Sequence, residues 1–315
     1  MNICLFDTSV STENLGDFII MDAVREQCLE LFSGDMILNV PTHEKISKPS
    51  FDIARKSDIK LVGGTNLLSS NMLHYNQWKI NIFDSFRMSG ICLFGVGWWQ
   101  YQNKPDFYTR CILKNVLSDQ VLHSVRDDYT KDMLAKIGIT NILNTGCPTM
   151  WRLTEEHCSA IPEAKAENVV FTITDYNRDA EADTKLVRLL NDSYDTVYFW
   201  PQGSSDLEYL QSLELKDVNI QLLSPNLESY NQILNVESID FVGTRLHAGI
   251  RALQHKKRTI IIGIDNRAAE KARNFNLPVV MRSNIDDLGS QIHGNFKTKI
   301  SIPHESIIKW KSQFK

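Results

Sequence analysis

In the segment Phe241-Val-Gly-Thr-Arg-Leu-His-Ala-Gly-Ile-Arg-Ala-Leu253, an arginine and a histidine stand two residues apart where an apolar run gives way to a helical pattern. The run ending at Val242 reads as a strand and Gly243-Thr244 as the turn, with Thr244 the expected N-cap. Leu246, Ile250 and Leu253 fall at i, i+4 and i+7, one buried stripe, with His247 and Arg251 on another side. A helix start supplies unpaired N–H groups and a partial positive charge. Arg245 at such a hinge suits a phosphate or carboxylate, and His247 can carry a proton near neutral pH. The plainer reading is that both side chains merely cap a surface helix.

The same arrangement recurs at other strand ends. Ile262-Gly-Ile-Asp-Asn-Arg267 puts a second arginine at a helix start, where Asp265 or Asn266 would be the cap. Ser124-Val-Arg-Asp-Asp128 places Arg126 after another apolar run, either facing a ligand or paired with Asp127 or Asp128. Three glycine-bearing turns follow strands: Asn14-Leu-Gly16-Asp17, Gly63-Gly64-Thr65-Asn66 and Gly95-Val-Gly97. Glycine lets backbone approach a ligand or adopt positive φ, but none of these turns completes a P-loop or a dinucleotide fingerprint. Trp98 and Trp99 would serve as a sugar platform or, more commonly, as core. Trp200-Pro-Gln-Gly-Ser-Ser-Asp206 follows a strand too and reads as a pocket wall, with Asp206 as a helix cap.

The elements that must position these residues alternate. Apolar strand runs fall at 2–6, 36–40, 59–62, 91–94, 121–125 and 141–143, and again at 169–173, 196–199, 219–222, 240–242, 259–262 and 279–281. Helical stretches lie between them, notably 17–31, 127–137, 183–190, 245–253 and 267–273, with a terminal one at 306–314. Continuous apolar strands separated by helices indicate parallel sheets covered on both faces. A stretch of weak periodicity, 152–168, reads as a linker. The expected architecture is α/β, two doubly wound Rossmann-like domains in tandem, residues 1–155 and 165–315, with the active site in the cleft between them.

Composition narrows the class. The chain has 315 residues with a formal net charge of -4, which disfavours non-specific nucleic-acid binding. Six cysteines show no metal-site spacing and read as reduced, pointing to a cytoplasmic protein. No secretory signal is evident, and the longest apolar run, 91–99, is too short to span a bilayer.

The ordered set Asn14-x-Gly16-Asp17, Gly63-Gly64, Ser124-x-Arg126-Asp127, Gly146-Cys-Pro148, Arg245-Leu246-His247 and Asp265-Asn-Arg267 resembles the polysaccharide pyruvyl transferase family. The resemblance implies a fold like the two-domain GT-B glycosyltransferases, phosphoenolpyruvate as donor and a pyruvate ketal on a glycan as product. It implies that Arg126, Arg245 and His247 line the donor pocket, with His247 the general acid. Where this chain has Arg267, family members commonly carry a lysine, and the two cations differ in geometry. Asn14, Asp17 and Asn66 suit sugar orientation, Asp17 as a base, with Gly16, Gly64, Thr65 and Leu246 completing the expected substrate-binding set. No metal or cofactor is expected. The expected partners are phosphoenolpyruvate and a glycan or lipid-linked oligosaccharide, without nucleic acid; peripheral membrane contact through the acceptor and symmetric self-association are both compatible with this. Two other readings stay open: a nucleotide-sugar glycosyltransferase on the same fold, and a non-catalytic glycan- or anion-binding protein.

Overall fold

The structure, a computed structural model, describes residues 1–315. Its first six strands are β1 (Asn2–Asp7), β2 (Met36–Pro41), β3 (Ile59–Gly63), β4 (Ile91–Val96), β5 (His123–Val125) and β6 (Ile142–Asn144). They form one parallel sheet in the order β2-β1-β3-β4-β5-β6. The remaining six, β7 (Asn168–Thr172), β8 (Thr196–Phe199), β9 (Ile220–Leu222), β10 (Ile239–Gly243), β11 (Thr259–Gly263) and β12 (Val279–Met281), form a second, in the order β12-β11-β10-β7-β8-β9. Every expected strand is present. The central strands β4 and β10 are buried throughout, as continuous apolar runs require, while the edge strands β2, β9 and β12 are only partly buried.

In both sheets the chain winds outward from a central strand, returns, and winds out the other way. The reversal falls between β1 and β3 in the first sheet and between β7 and β10 in the second. At such a switch point the connections leave the carboxyl edge in opposite directions, opening a crevice for ligands. The residues following β1, β3, β7 and β10 therefore matter most.

The chain divides into two units. The first comprises Met1–Thr12, Ile20–Trp151 and Ile302–Lys315; the second comprises Glu13–Ile19 and Arg152–Ser301. These differ from the expected 1–155 and 165–315 in two respects. The C-terminal segment, with its helix His304–Ser312, belongs to the first unit, because Trp310 is fully buried there, 4.4 Å from Phe94 and 6.0 Å from Trp151 between ring centroids. The Gln313 amide also exchanges hydrogen bonds with the Leu122 backbone at 2.7 and 3.1 Å. Conversely, residues 13–19 belong to the second unit: the Leu15 N–H donates to the Gln202 carbonyl and the Ser204 N–H to that of Glu13. The expected linker also holds a short helix, Glu155–Ser159, capped by Thr154.

In the second unit, Arg258 is 1% exposed and ties the fold together. It pairs with Asp240 on β10 at 2.8 Å and donates to the carbonyls of Glu163, Gln291, Ile292 and Gly294. The buried thiols of Cys4, Cys28 and Cys92 are pushed up to about 12 by burial and behave as small hydrophobes.

His123 opens β5 with no exposure to solvent. Its Nδ1 accepts from the Leu93 N–H at 3.1 Å, and its Nε2 donates to the Ser118 carbonyl at 2.8 Å, a set only the neutral ring can satisfy. Burial lowers its pKa to about 4. The depressed value means stability is complete above the unfolded pKa near 6.5 and is lost as pH falls toward 4. The expected loss is about 3 kcal/mol. Urea titrations at pH 7 and pH 4 should show a smaller pH dependence in His123→Gln than in wild type; equal slopes would remove His123 as its source.

Candidate active site

In the second unit the site is built around Arg245. Contrary to expectation, Thr244 is not the helix cap. Its hydroxyl hydrogen-bonds the Thr174 hydroxyl at 2.7 Å, latching the loop after β10 to the loop after β7. Arg245 itself occupies the N-cap position of helix Leu246–Gln254, and no side chain caps that helix. The helix packs tightly on the sheet, since a Cβ at Gly249 would meet Ile261 and Phe241. Leu246 and His247 are both buried in its first turn.

The Arg245 guanidinium is 4% exposed and does not stand open to a ligand alone. Its Nε donates to Asp206 at 2.9 Å, and its Nη2 contacts both Asp206 and, at 2.7 Å, Asp175. Removing so much water from a cation requires such partners. Burial pushes the Asp206 carboxyl up from its ordinary range, while the Arg245 charge and hydrogen bonds pull it partly back. Asp206 does more than start a helix, the role expected of it, since the cap position belongs to Ser205. It accepts from the N–H groups of Gln202 and Gly203 at 3.1 and 2.7 Å and from that of Asp175 at 3.2 Å. One carboxylate thus joins the loops after β7, β8 and β10.

Gly203 is required at this junction, because a Cβ there would collide with the Arg245 guanidinium. The same loop receives the Asn14 turn. Gln202 Nε2 donates to Asn14 Oδ1 at 2.7 Å, and the Gly16 N–H donates to the same oxygen at 3.0 Å. A side chain at Gly16 would press on Gln202. Asp17, 6% exposed, sits in the first turn of helix Leu15–Leu31 and donates its N–H to the Asn14 carbonyl. Asn14, Gly16 and Asp17, read as features of the first domain, are therefore brought together with the Arg245 cluster by the second unit's own loop.

Arg267 lies in the same unit. Asp265 caps its helix, as expected, and also receives the Arg267 Nε at 2.7 Å. Tyr176 links the two arginines: its ring lies 5.1 Å from the Arg245 guanidinium and 5.4 Å from that of Arg267, and its hydroxyl hydrogen-bonds Arg267.

The first unit brings together the other expected residues. Gly64 and Thr65, after β3, both have positive φ, +58° and +50°. A Cβ at Gly64 would strike Ile20. This turn aims Asn66 at Arg126, and the two side chains hydrogen-bond. Arg126, 1% exposed, lies over Gly97, where any Cβ would collide with it, and its Nε is 3.4 Å from Asp127. Asp127 also caps the following helix through the Thr130 N–H. Of the two tryptophans, Trp98 is buried core, while Trp99 stacks on Tyr75. At the β1 end, Asp7 binds Ser9 and, at 2.5 Å, Arg25, a polar group absent from the sequence expectations.

Asp175 and Tyr176 were missed as site residues, and Gln202 and Asp206 were read only as part of a pocket wall. Each follows a strand at the carboxyl edge, so strand position was a usable signal for them. Their pairing with Arg245 was not, because it joins residues 39 and 70 apart.

A model of the polysaccharide pyruvyl transferase family matches residues 14–266, and the chain belongs to that family. A search of curated proteins found no match. Among solved structures, the chain is similar to UDP-GlcNAc 2-epimerase from Methanocaldococcus jannaschii in complex with UDP-GlcNAc and UDP, at 11% identity and TM-score 0.52, covering 96% of this chain and 95% of that one. It is also similar to the S. aureus MnaA–UDP co-structure, at 12% identity and TM-score 0.51, covering 94% and 91%. UDP-N-acetylglucosamine 2-epimerase from Rickettsia bellii matches at 12% identity and TM-score 0.51, covering 99% and 95%. At these identities the likeness is one of fold, the two-sheet GT-B-like architecture.

Asp206→Ala should cost about 3–5 kcal/mol in urea unfolding, because it strands a buried guanidinium. Asp175→Ala, at a site with a quarter of its side chain exposed, should cost about 1 kcal/mol. The reverse ranking would show that Asp206 is not the anchor.

Proposed function

Because the chain is a member of that family, we propose that it transfers a pyruvyl group from phosphoenolpyruvate to a sugar of a cell-surface polysaccharide or its precursor. The observation that carries this reading is the Arg245-Leu246-His247 turn at the β7/β10 switch point, with a buried arginine and a buried histidine at a helix start that no side chain caps. Phosphoenolpyruvate carries a phosphate and a carboxylate close together. Arg245, Arg267 and the helix N–H groups suit these anions. Leu246 shapes the pocket beside them. Arg245 already meets two carboxylates, so an arriving anion competes with Asp175, the more exposed of the two.

In the reaction, His247 delivers a proton to the methylene carbon of the enol phosphate, and positive charge develops on the adjacent carbon. A sugar hydroxyl bonds to that carbon and passes its proton back to the histidine. The carbon–oxygen bond to phosphate then breaks, phosphate leaves, and a second hydroxyl closes the ketal as Asp17 takes its proton and passes it to the departing phosphate. Asn14 and Asp17 orient the acceptor, Asp17 as base for one hydroxyl. Gly16, Gly64, Thr65 and Asn66 complete the substrate contacts.

Calorimetry with phosphoenolpyruvate should show binding by wild type, weakened about tenfold in Arg267→Ala and retained in His247→Gln. Turnover in His247→Gln should fall about 100-fold or more. Binding of UDP-GlcNAc with none of phosphoenolpyruvate, in the presence of acceptor glycan, would instead favour the nucleotide-sugar reading that the fold likeness allows.

A further inference from the structure

Away from these residues, the first unit carries a surface that the chemistry leaves unexplained. Three phenylalanines and a leucine protrude from it: Phe83 is 76% exposed, Phe86 74%, Phe107 81% and Leu73 63%. They come from three segments pinned side by side. The Ile82 N–H donates to the Tyr108 hydroxyl at 3.3 Å, and Asn115 Nδ2 donates to Ser85 Oγ at 3.2 Å, joining helix Ile82–Arg87 to helix Phe107–Val116. The Met72 N–H donates to the Thr109 hydroxyl at 2.8 Å, bringing the Leu73 turn to the same place. Phe83 and Phe86, three apart on one helix, share a face. Aromatic side chains this exposed, on segments joined to one another, mark an interaction surface.

Along the segments that carry them, the exposed charges have one sign. Between residues 71 and 115 every exposed charged side chain is a cation: Lys79, Arg87, Lys104, Arg110 and Lys114. The two acids of that stretch, Asp84 and Asp106, are half-buried and spent on capping, Asp84 in a capping box with Asn81 and Asp106 on the Thr109 N–H. Arg87 also lies 4.2 Å over the Phe51 ring of helix Lys48–Lys56, which itself has more cations than acids. This basic face stands on a chain whose formal net charge is -4.

We infer that this face docks on an anionic phospholipid surface, the phenylalanines entering the headgroup boundary and the cations meeting lipid phosphates. Charge selects this occupant over a second copy of the chain, because a symmetric pairing would bring the same cations against each other. Form points the same way. Side chains that protrude by three quarters of their area need a partner that yields, and a bilayer interface does so without a matching pocket. No helix of the chain is long and apolar enough to cross a membrane. The inference does not rest on pyruvyl transfer.

The test is co-sedimentation of the full chain with glycan-free vesicles, either phosphatidylcholine alone or phosphatidylcholine and phosphatidylglycerol at about two to one. Wild type should bind the anionic vesicles, bind the neutral ones at least about tenfold less, and release as salt rises. Lys79→Gln/Lys104→Gln/Arg110→Gln should weaken binding about 100-fold, at about fivefold per charge. Phe83→Ser/Phe86→Ser/Phe107→Ser should weaken it about tenfold or more while leaving the far-ultraviolet spectrum and the urea midpoint unchanged, since these side chains are exposed. Absence of wild-type binding, equal binding to both vesicles, or binding indifferent to both triple variants would overturn the inference. So would a dimer in solution that the phenylalanine variant dissociates, which would give the surface to a second copy.

Discussion

The buried pairing of Arg245 with Asp206 and Asp175 is the constraint from which the rest of the second unit's site follows. A guanidinium at 4% exposure keeps its charge, so leaving it without partners would be strongly destabilising. Satisfying it draws together the loops after β7, β8 and β10. Those loops then accept the Asn14 turn through Gln202, and they leave His247 in the first turn of a helix free of a side-chain cap. Arg245 is thus a structural keystone of the second unit.

The first unit reaches a similar solution by a different route. Arg126 follows β5 and lies over Gly97, as Arg245 follows β10 and lies against Gly203. In both cases the guanidinium occupies space that a Cβ would fill, which requires glycine there without any appeal to unusual φ. The distinct requirement for positive φ arises at Gly64, whose backbone turns back over Ile20 to aim Asn66. Thr65 shares that left-handed conformation despite its branched side chain, an observed strain beside a proposed binding residue.

Charge is divided by role across the molecule. Arg126, Arg245 and Arg258 are buried and held by carboxylates, an amide or carbonyls. The cations of the segments that carry Phe83, Phe86 and Phe107 are exposed to water. The first kind sets geometry in a medium where each contact is strong; the second projects a field that is felt at a distance and weakens with salt.

The sequence by itself determined the fold class and the order of elements. Parallel strands buried on both faces must be short continuous apolar runs, and each such run became a strand, because that signal is local. The same locality placed Arg126, Arg245, His247 and Arg267 at the carboxyl edges of their sheets. What the tertiary structure alone decided is which distant residues share a neighbourhood. Trp310 buries against Phe94, so the last segment joins the first unit; Asn14 reaches Gln202, 188 residues away, so its turn joins the second. The carboxylates that compensate Arg245, and the side of helix Ile82–Arg87 left uncovered, were likewise invisible in the local pattern. Periodicity reports that a face is apolar, whereas pairing and covering depend on long-range packing that no short window of sequence contains.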